Sequence, residues 1–283
     1  MRHTCVFFHA HPDDEALLTA GTMARLAHQG HRVVLVLATA GEQGLASGEL
    51  REQGLGEVRQ REAYRSARLL GCARVVFLGY ADSGRTAPAS GTGPGRATRA
   101  PVPFAAADVD EAAHRLAAVL AEERADLLTV YDPGGGYGHP DHVQVHRVGY
   151  RAAELAGTPC VLEATVDRDL LLRGLRAAGW FYRFPPEFDR NAFRQAFAPG
   201  TEITHRVAVR RFWRAKRDSM TAHRSQATGG ESERTLAALR RLPGPLFRYV
   251  LGTEWYIQRG LSATEVLDDP LTTLPRRRTS DSL

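Results

Sequence analysis

The sequence predicts an α/β fold: a Rossmann-like, doubly wound, mostly parallel sheet with a smaller C-terminal α+β region. Two features of the first half of the chain support this prediction. Short apolar runs alternate with helix-like segments, and each run is apolar throughout rather than at every second residue. Uniform apolar runs are typical of parallel strands that are covered on both faces. The alternation is that of β-α-β units, whose crossovers are right-handed.

The same pattern places the individual elements. Strands are expected at residues 5–8, 33–38, 75–78, 127–131, 161–166, 203–209 and 254–258, the last of them at an edge of the sheet. Helices are expected at residues 17–28, 57–70, 109–123, 141–156, 211–223 and 232–242. Residues 81–103, rich in Gly, Pro, Ser, Thr and Ala, form an unusually long connection. Such a connection is typically either disordered or a functional lid.

A change in composition after the fifth strand divides the chain. Residues 1–165 are expected to form the main Rossmann-like domain. Residues 166–270 are expected to form a smaller region that packs on this domain and completes its pocket, and residues 271–283 a solvated tail. A chain of 283 residues is long enough for one full α/β core with such an addition.

Composition excludes several classes of protein. The hydrophobic share is 43%, no apolar run approaches the ~20 residues of a membrane helix, and the N-terminus lacks a signal peptide's profile. We therefore expect a cytoplasmic protein without a membrane partner. The three cysteines form no Cys-x-x-Cys pair, as expected of buried thiols in a reducing compartment. The net charge of +5 comes from arginines spread along the chain without interleaved aromatic residues, so no nucleic-acid partner is expected, while a homo-oligomer remains open.

The most informative stretch is the polar cluster at residues 11–15, His-Pro-Asp-Asp-Glu, directly after the first predicted strand. Proline starts helices well, and acidic residues in a first turn are favoured by the helix dipole. Helix capping does not require His11 and Asp14 at a spacing of three, which lets both side chains reach one point beyond the helix start. A hydrolytic metal site often combines two histidines with one carboxylate, so a distant histidine is needed. The second cluster, His139-Pro140-Asp141-His142, supplies candidates.

Polar residues follow each of the first four predicted strands. They are residues 11–15, residues 39–42, residues 82–84 and residues 132–142. The carboxyl ends of parallel strands share one edge of a sheet, and ligands bind there. The sequence therefore predicts a single site at that edge. A dinucleotide site is excluded because no G-x-G-x-x-G follows the first strand.

These residues carry a family resemblance. The two His-Pro-Asp clusters, Thr39-x-Gly41-Glu42, Arg59-x-x-Glu62 and Asp82-Ser83-Gly84 resemble the LmbE-like (PIG-L) family of zinc-dependent de-N-acetylases over most of the first 160 residues. The stretch 131–139 is most similar to the actinobacterial branch that deacetylates N-acetylglucosaminyl-inositol in mycothiol biosynthesis. The likeness fades in the C-terminal third to scattered matches such as Lys216 and His223-x-x-Gln226.

The resemblance implies metal-assisted amide hydrolysis of an acetamido-sugar. It implies one Zn²⁺ per chain, or another divalent ion, held by His11, Asp14 and His142, with room for a water and the acetyl oxygen. Asp13 would act as general base, His139 or Tyr137 as hydrogen-bond donor to the oxyanion, and Asp141 as the residue that orients His139. Either Asp13 or His139 would protonate the leaving amine. Arg59, Asp82 and Glu42 are candidates for binding substrate hydroxyls.

Simpler explanations exist for single residues, and alternative functions exist for the protein as a whole. Asp13 and Asp14 can serve as helix-terminal acids, His139 as a helix cap, Tyr137 as a packing residue, and Arg59 and Asp82 as surface ion-pair partners. Alternative functions are an amidase acting on mycothiol conjugates, a deacetylase of aminosugar antibiotics, or a sugar-binding module without turnover. A two-metal phosphoesterase requires more bridging carboxylates than these loops contain.

Overall fold

A computed structural model shows one seven-stranded sheet with helices on both faces, and it describes residues 1–44, 54–84, 101–180, 192–227, 231–262 and 265–275. The strand order is β3-β2-β1-β4-β5-β7-β6. Strands β1 to β5 are parallel, and β7 pairs antiparallel with both β5 and β6. The predicted fold class, a mostly parallel doubly wound sheet, is confirmed.

The strands and main helices have the following bounds. The strands are β1 Thr4–His9, β2 Arg32–Thr39, β3 Arg74–Tyr80, β4 Leu127–Tyr131, β5 Cys160–Thr165, β6 His205–Ala208 and β7 Thr253–Ile257. The helices are α1 Asp14–Leu18, α2 Ala20–His28, α3 Leu55–Leu69, α4 Val109–Glu123, α5 Pro140–Ala156, α6 Arg168–Ala178, α7 Trp213–Ala222, α8 Glu231–Arg240 and α9 Gly244–Val250. A one-turn segment, Gly135–Gly138, precedes α5.

Two apolar layers form the core because successive residues of each strand face opposite sides of the sheet. In β1, Val6 and Phe8 pack toward α4 and α5, while Cys5 and Phe7 pack toward α2 and α3. A third, smaller cluster joins α1 to the C-terminal helices through Ala16, which packs with apolar residues of α7, α8 and α9. The loop that begins α1 is therefore held by the sheet and by the C-terminal helices together.

Several sequence-based placements need correction. The predicted helix 17–28 is two helices, because Thr19 leaves helical geometry and its hydroxyl lies 2.8 Å from His9 Nε2. The strand expected at 254–258 is not at the edge of the sheet, since β6 pairs with its outer side. Helices α6 and α9 had no predicted counterpart. Of the long connection 81–103, only its ends are described, where Ala81 bridges to Pro103, and residues 85–100 lie outside the described residues.

The division into a domain at 1–165 and a smaller region at 166–270 stays a prediction. What is observed is that β6 and β7, from the later part of the chain, extend the same sheet as β1 to β5. Among the described residues, we find no helix long and apolar enough to cross a membrane.

The topology fixes where a ligand is expected to bind. From β1 the chain moves outward to β2 and β3, then returns to β4 on the other side of β1. The β1–β4 pair is thus the switch point of the sheet, where the connections leave in opposite directions and open a crevice at the carboxyl ends. The first polar cluster follows β1 and the second follows β4.

Candidate metal and active site

The two His-Pro-Asp clusters meet at the switch point. The ring centroids of His11 and His142, 131 positions apart in sequence, lie 5.5 Å apart, and those of His11 and His139 lie 4.8 Å apart. All three imidazoles are buried. Tyr131, the last residue of β4, packs against His142 with a centroid distance of 4.4 Å and an angle of 31° between the ring planes.

Asp14 lies at the spacing of a shared metal ligand from both His11 and His142. Asp14 Oδ2 lies 3.3 Å from His11 Nδ1 and 3.3 Å from His142 Nε2. Two atoms each bound at about 2.0 Å to a tetrahedral ion are separated by about 3.3 Å. His142 Nε2 is buried and forms no hydrogen bond within the described part of the chain. A buried nitrogen that faces a carboxylate without a hydrogen bond is placed as a metal ligand would be, so these residues fit a divalent metal.

Other combinations of the same cluster also bring ligand atoms together. His11, His139 and His142 each offer a nitrogen within 4.8 Å of the others. A second set, His11, Asp82, His139 and Asp141, satisfies the same limit. The site is therefore a buried His/Asp cluster able to hold a metal.

Asp13 has a geometry that helix capping does not explain. It occupies the N-cap position of α1, yet its side chain makes no capping hydrogen bond among the described residues. Its backbone φ is 108°, in the left-handed region that non-glycine residues rarely adopt. Arg59 Nη2 instead lies 3.3 Å from Asp13 Oδ1. Burial raises the pKa of Asp13 to about 6, although the Arg59 charge opposes this shift.

The Asp14 carboxylate is held in its charged form. It accepts the backbone N–H of His11 at 2.9 Å as well as facing the two imidazoles. Burial alone would raise the pKa of Asp14, but the neighbouring His142 and His11 hold it well below its ordinary value. An ionised carboxylate is the form that binds a cation.

Asp141 contacts His11 with its carboxylate and His139 only through its backbone. Its Oδ2 lies 3.0 Å from His11 Nε2 and accepts the Ser83 N–H at 3.0 Å. The backbone N–H of Asp141 donates to His139 Nδ1 at 3.2 Å. The expectation that the Asp141 carboxylate orients His139 therefore has no direct contact to support it, whereas the contact to His11 is short and buried.

His139 is a neutral ring in this arrangement. It caps α5, and because its Nδ1 accepts a backbone N–H, the proton of the neutral ring resides on Nε2. Burial and the nearby His11 and His142 lower the pKa of His139 to about 4. Capping and a role in the site are therefore not alternatives here, since Nδ1 serves the helix and Nε2 remains available as a donor.

The three predicted substrate-binding residues lie around the site, but each also has a structural contact. Arg59 is 4% exposed and donates to the carbonyls of Gly41 and Pro12, so it is not a surface ion-pair partner. Asp82 Oδ1 lies 3.4 Å from His11 Nε2. Glu42 accepts the Asp82 N–H at 2.8 Å and lines a cleft of about 320 Å³ beside the site.

Tyr137 stands at the rim of the site. Its ring is 48% exposed and meets the His142 ring edge-on, with a centroid distance of 5.0 Å. The preceding Gly136 has a φ of 68°, and Phe197 donates its N–H to the Gly136 carbonyl at 2.7 Å. Because it is half exposed, Tyr137 is not a core packing residue, and its position beside His142 is compatible with contact to a substrate.

Three buried residues near the site, Glu15, His223 and His9, had no catalytic, metal-binding or substrate-binding role predicted from the sequence. Glu15 and His223 are both fully buried and form a pair at 2.6 Å. His9 contacts the Tyr131 hydroxyl at 2.8 Å through Nδ1. The signal for Glu15 was present in the motif, since a third consecutive carboxylate exceeds what capping requires. The pairing with His223 had no signal, because 208 residues separate the two positions.

Comparison with known proteins shows which family this chain belongs to. Residues 6–153 match the family described as PIG-L, GlcNAc-PI de-N-acetylase. This match spans more than half of the chain and includes both His-Pro-Asp clusters. The chain belongs to the PIG-L family and is a hydrolase of the deacetylase type, as the sequence predicted.

Two individual relatives share one more specific description. A 1D-myo-inositol 2-acetamido-2-deoxy-alpha-D-glucopyranoside deacetylase of Thermobifida fusca is 39% identical over 243 residues, which cover 77% of this chain and 81% of the relative. An enzyme of the same description from Streptomyces scabiei is 36% identical and covers 90% of this chain and 84% of the relative.

A solved structure supports the fold. The N,N'-diacetylchitobiose deacetylase of Pyrococcus horikoshii superposes with a TM-score of 0.56 at 19% identity, covering 95% of this chain and 87% of that one. At this level of identity, the similarity concerns the fold alone.

Proposed function

We propose that this enzyme is a zinc-dependent deacetylase that hydrolyses the N-acetyl group of an N-acetylglucosaminyl-inositol glycoside. The observation that carries the proposal is the 3.3 Å spacing of His11 Nδ1 and His142 Nε2 from Asp14 Oδ2, with the Asp13 carboxylate beside them. The substrate is proposed from relatives of that description, which are 36–39% identical over most of their length.

We assign His11, Asp14 and His142 as the metal ligands. A bound Zn²⁺ supplies Lewis acidity, which lowers the pKa of a water and polarises an amide carbonyl. The Asp141 carboxylate would accept a hydrogen bond from the Nε2–H of His11, a contact that fixes the ring so that Nδ1 faces the metal. We favour this set over the three-histidine set because it leaves His139 free for the substrate.

Asp13 is assigned as the general base. It is next in sequence to a ligand, and Arg59 holds its carboxylate in place. Burial raises the pKa of Asp13 above its ordinary value, which makes its carboxylate a stronger base toward an acidified water. After taking the proton, Asp13 would donate it to the leaving amine.

His139 is assigned as a hydrogen-bond donor. Its Nε2–H is available because Nδ1 is occupied by the Asp141 N–H, and a neutral imidazole donor stabilises a developing oxyanion. Because the His139 ring is neutral in this tautomer, Asp13 is favoured over His139 as the group that protonates the leaving amine. Tyr137, at the rim, would donate its hydroxyl to the same oxygen or to the sugar.

The substrate hydroxyls would meet the polar side of the cleft. Glu42 and Gln43 line it, and Asp82 lies between Glu42 and His11. Carboxylate and amide oxygens accept hydrogen bonds from sugar hydroxyls. Arg59 contributes by holding the walls of the site, the Gly41 and Pro12 carbonyls, rather than by facing solvent.

The test is amide hydrolysis by the zinc-loaded protein, measured as acetate released from the N-acetyl substrates and as cysteine released from the cysteinyl amide. The panel contains N-acetylglucosaminyl-inositol, free N-acetylglucosamine, N,N'-diacetylchitobiose and a cysteinyl amide of glucosaminyl-inositol. We expect the highest kcat/KM with N-acetylglucosaminyl-inositol. Cleavage of the cysteinyl amide alone would replace the proposal by a conjugate amidase. Saturable binding of a sugar without product from any member would reduce the protein to a binding module.

A further inference from the structure

The Glu15 carboxylate is fully buried and serves as an acceptor for three groups. Its Oε1 accepts from His223 Nε2 at 2.6 Å and from the Ser66 hydroxyl at 2.6 Å. Its Oε2 accepts the backbone N–H of Asp13 at 3.0 Å. A buried carboxylate is stable only when such donors surround it. Glu15 thus connects the reacting loop to α3 and to the end of α7.

The Asp13 backbone needs such a contact. A non-glycine residue at φ 108° is strained and persists only where the surroundings determine it. Arg59 fixes the Asp13 side chain and the preceding Pro12 carbonyl. The Glu15 carboxylate fixes the Asp13 N–H on the other side of the peptide. Loss of either contact would let the backbone relax and turn the carboxylate away.

Glu15 in turn is held from the C-terminal part of the chain. His223, at the end of α7, is fully buried, and its Nε2 is the donor that faces Glu15. Met220, one turn earlier on α7, packs against Ala16 in the small apolar cluster. The position of His223 is therefore supported by the apolar packing of α7 as well as by its contact with Glu15.

We propose that Glu15 and His223 are positioning residues that hold Asp13 in its reactive geometry, so that the C-terminal part of the chain acts on the reaction. The inference rests on the proposed function because it takes Asp13 as the base. Neither residue touches the substrate in this proposal. Their effect is on the orientation of the Asp13 carboxylate relative to the metal ligands.

A purely structural role is the competing explanation, and the chain offers a control for it. Lys216 and Glu254 form a second buried ion pair at 2.5 Å, which also joins α7 to the N-terminal half, since Glu254 accepts the Gly21 and Thr22 N–H groups. This pair has no described contact with Asp13. K216M should therefore loosen α7 without releasing Asp13.

The test compares E15Q, H223F, H223Q and K216M with the wild-type enzyme, each loaded with zinc. The measurements are kcat and KM for acetate release, metal content, and hydrogen exchange of peptides covering the loop after β1. We expect E15Q and H223F to lower kcat about tenfold to a hundredfold, the range typical of a misplaced group, with KM within about twofold and full zinc occupancy. H223Q, which keeps an N–H donor near the Nε2 position, should recover part of the loss.

Exchange of the loop amides should accelerate in E15Q and H223F but not in K216M. Unchanged kcat and exchange in E15Q and H223F would overturn the inference, and so would an equal loss of kcat in K216M or a loss of zinc from E15Q. If E15Q does not fold, the comparison of H223F with H223Q decides whether the inference holds. A wild-type enzyme that releases no acetate would remove the proposed function, whereas loop exchange would still decide whether Glu15 and His223 hold Asp13.

Discussion

At the residue scale, the central feature is three consecutive acids, Glu15 buried and Asp13 and Asp14 partly buried, each with a different partner. Asp13 faces Arg59, Asp14 faces the imidazoles of the cluster, and Glu15 faces His223. Adjacent carboxylates repel one another, so each requires its own compensation. Loss of one partner would leave an uncompensated buried charge, which typically costs several kcal/mol.

The first prediction concerns Asp13. D13N keeps the shape of the side chain but removes the base, so acetate release should fall about 10²- to 10⁴-fold while one zinc per chain is retained. H142A is the matched comparison, because it should lose the zinc itself. Retained turnover in D13N would remove Asp13 from the mechanism, and stoichiometric zinc in H142A would show that the ligand set is wrong.

The second prediction concerns His205, which is buried in β6 with Nδ1 at 2.8 Å from the Thr204 hydroxyl. Burial lowers the pKa of His205 to about 4, below its ordinary value of 6.5, so the folded state favours the neutral ring. Its contribution to stability is complete above pH 6.5 and is lost as the pH falls from 6.5 through 4, because only the unfolded chain then binds the proton.

The variant H205N should lack this acid sensitivity. The difference in unfolding free energy between wild type and H205N should shift by roughly 1–2 kcal/mol in favour of the variant between pH 7.5 and pH 4.5, after solvent screening. Urea titrations at both values measure it. A difference independent of pH would show that His205 is protonated as readily in the folded protein as in the unfolded chain.

At this scale, the sequence predicts contacts between residues that belong to motifs. It does not predict contacts that only the fold creates. The meeting of His11 with His142 follows from two clusters at the ends of neighbouring parallel strands. The burial of Arg59 does not follow from the sequence, because its partners are backbone carbonyls of two loops that carry no sequence signature. The position of His223 likewise depends on the packing of α7, which the sequence does not show.

At the element scale, the placement of His142 depends on how closely α5 approaches β4. Gly149 lies two turns after His142 on the same helix, and a Cβ at that position would overlap the Val130 side chain. The helix can therefore rest on the strand only because position 149 has no side chain. Interiors of this density transmit small displacements rather than absorbing them.

The third prediction follows from this contact. G149A should force α5 away from β4, lower stability by about 1–3 kcal/mol and weaken zinc binding. Thermal unfolding and chelator competition measure the two effects. The control is G174A in α6, where no described atom lies within 4 Å of the new Cβ, and there a slight gain in stability is expected. Unchanged zinc affinity in G149A would mean that the His142 loop is positioned independently of its helix.

Elements of the first half were predictable because their pattern is local. The predicted helix 109–123 coincides with α4, and the predicted strand 127–131 coincides with β4. The order of strands is not local information. Residues 254–258 were recognisable as a strand, but the sequence does not show that β6 would pair outside it. The break at Thr19 also depends on a distant partner, the His9 side chain.

At the scale of the whole molecule, the metal site joins parts of the chain that are far apart in sequence. A cation bound by His11, Asp14 and His142 would link the loop after β1 to the start of α5 across the switch point. Because these ligands come together only in the folded chain, ion binding adds to the free energy of folding.

The fourth prediction is that zinc raises thermal stability. At a free zinc concentration of 100 times Kd the stabilisation is about 2.7 kcal/mol, and a chelator should reverse it. H142A, measured in parallel, should show no shift in its unfolding temperature with zinc. An equal shift in H142A would place the stabilising ion elsewhere in the molecule.

The pairing of β7 with β5 has a practical consequence for anyone shortening this enzyme. All residues of the two motifs lie before position 143, which invites expression of that part alone. Such a fragment would lack the Glu254 acceptor for the first N–H groups of α2, and in a piece ending after β5 that strand would present an unpaired edge. We expect truncations of this kind to precipitate, so a minimal version must keep the last strand.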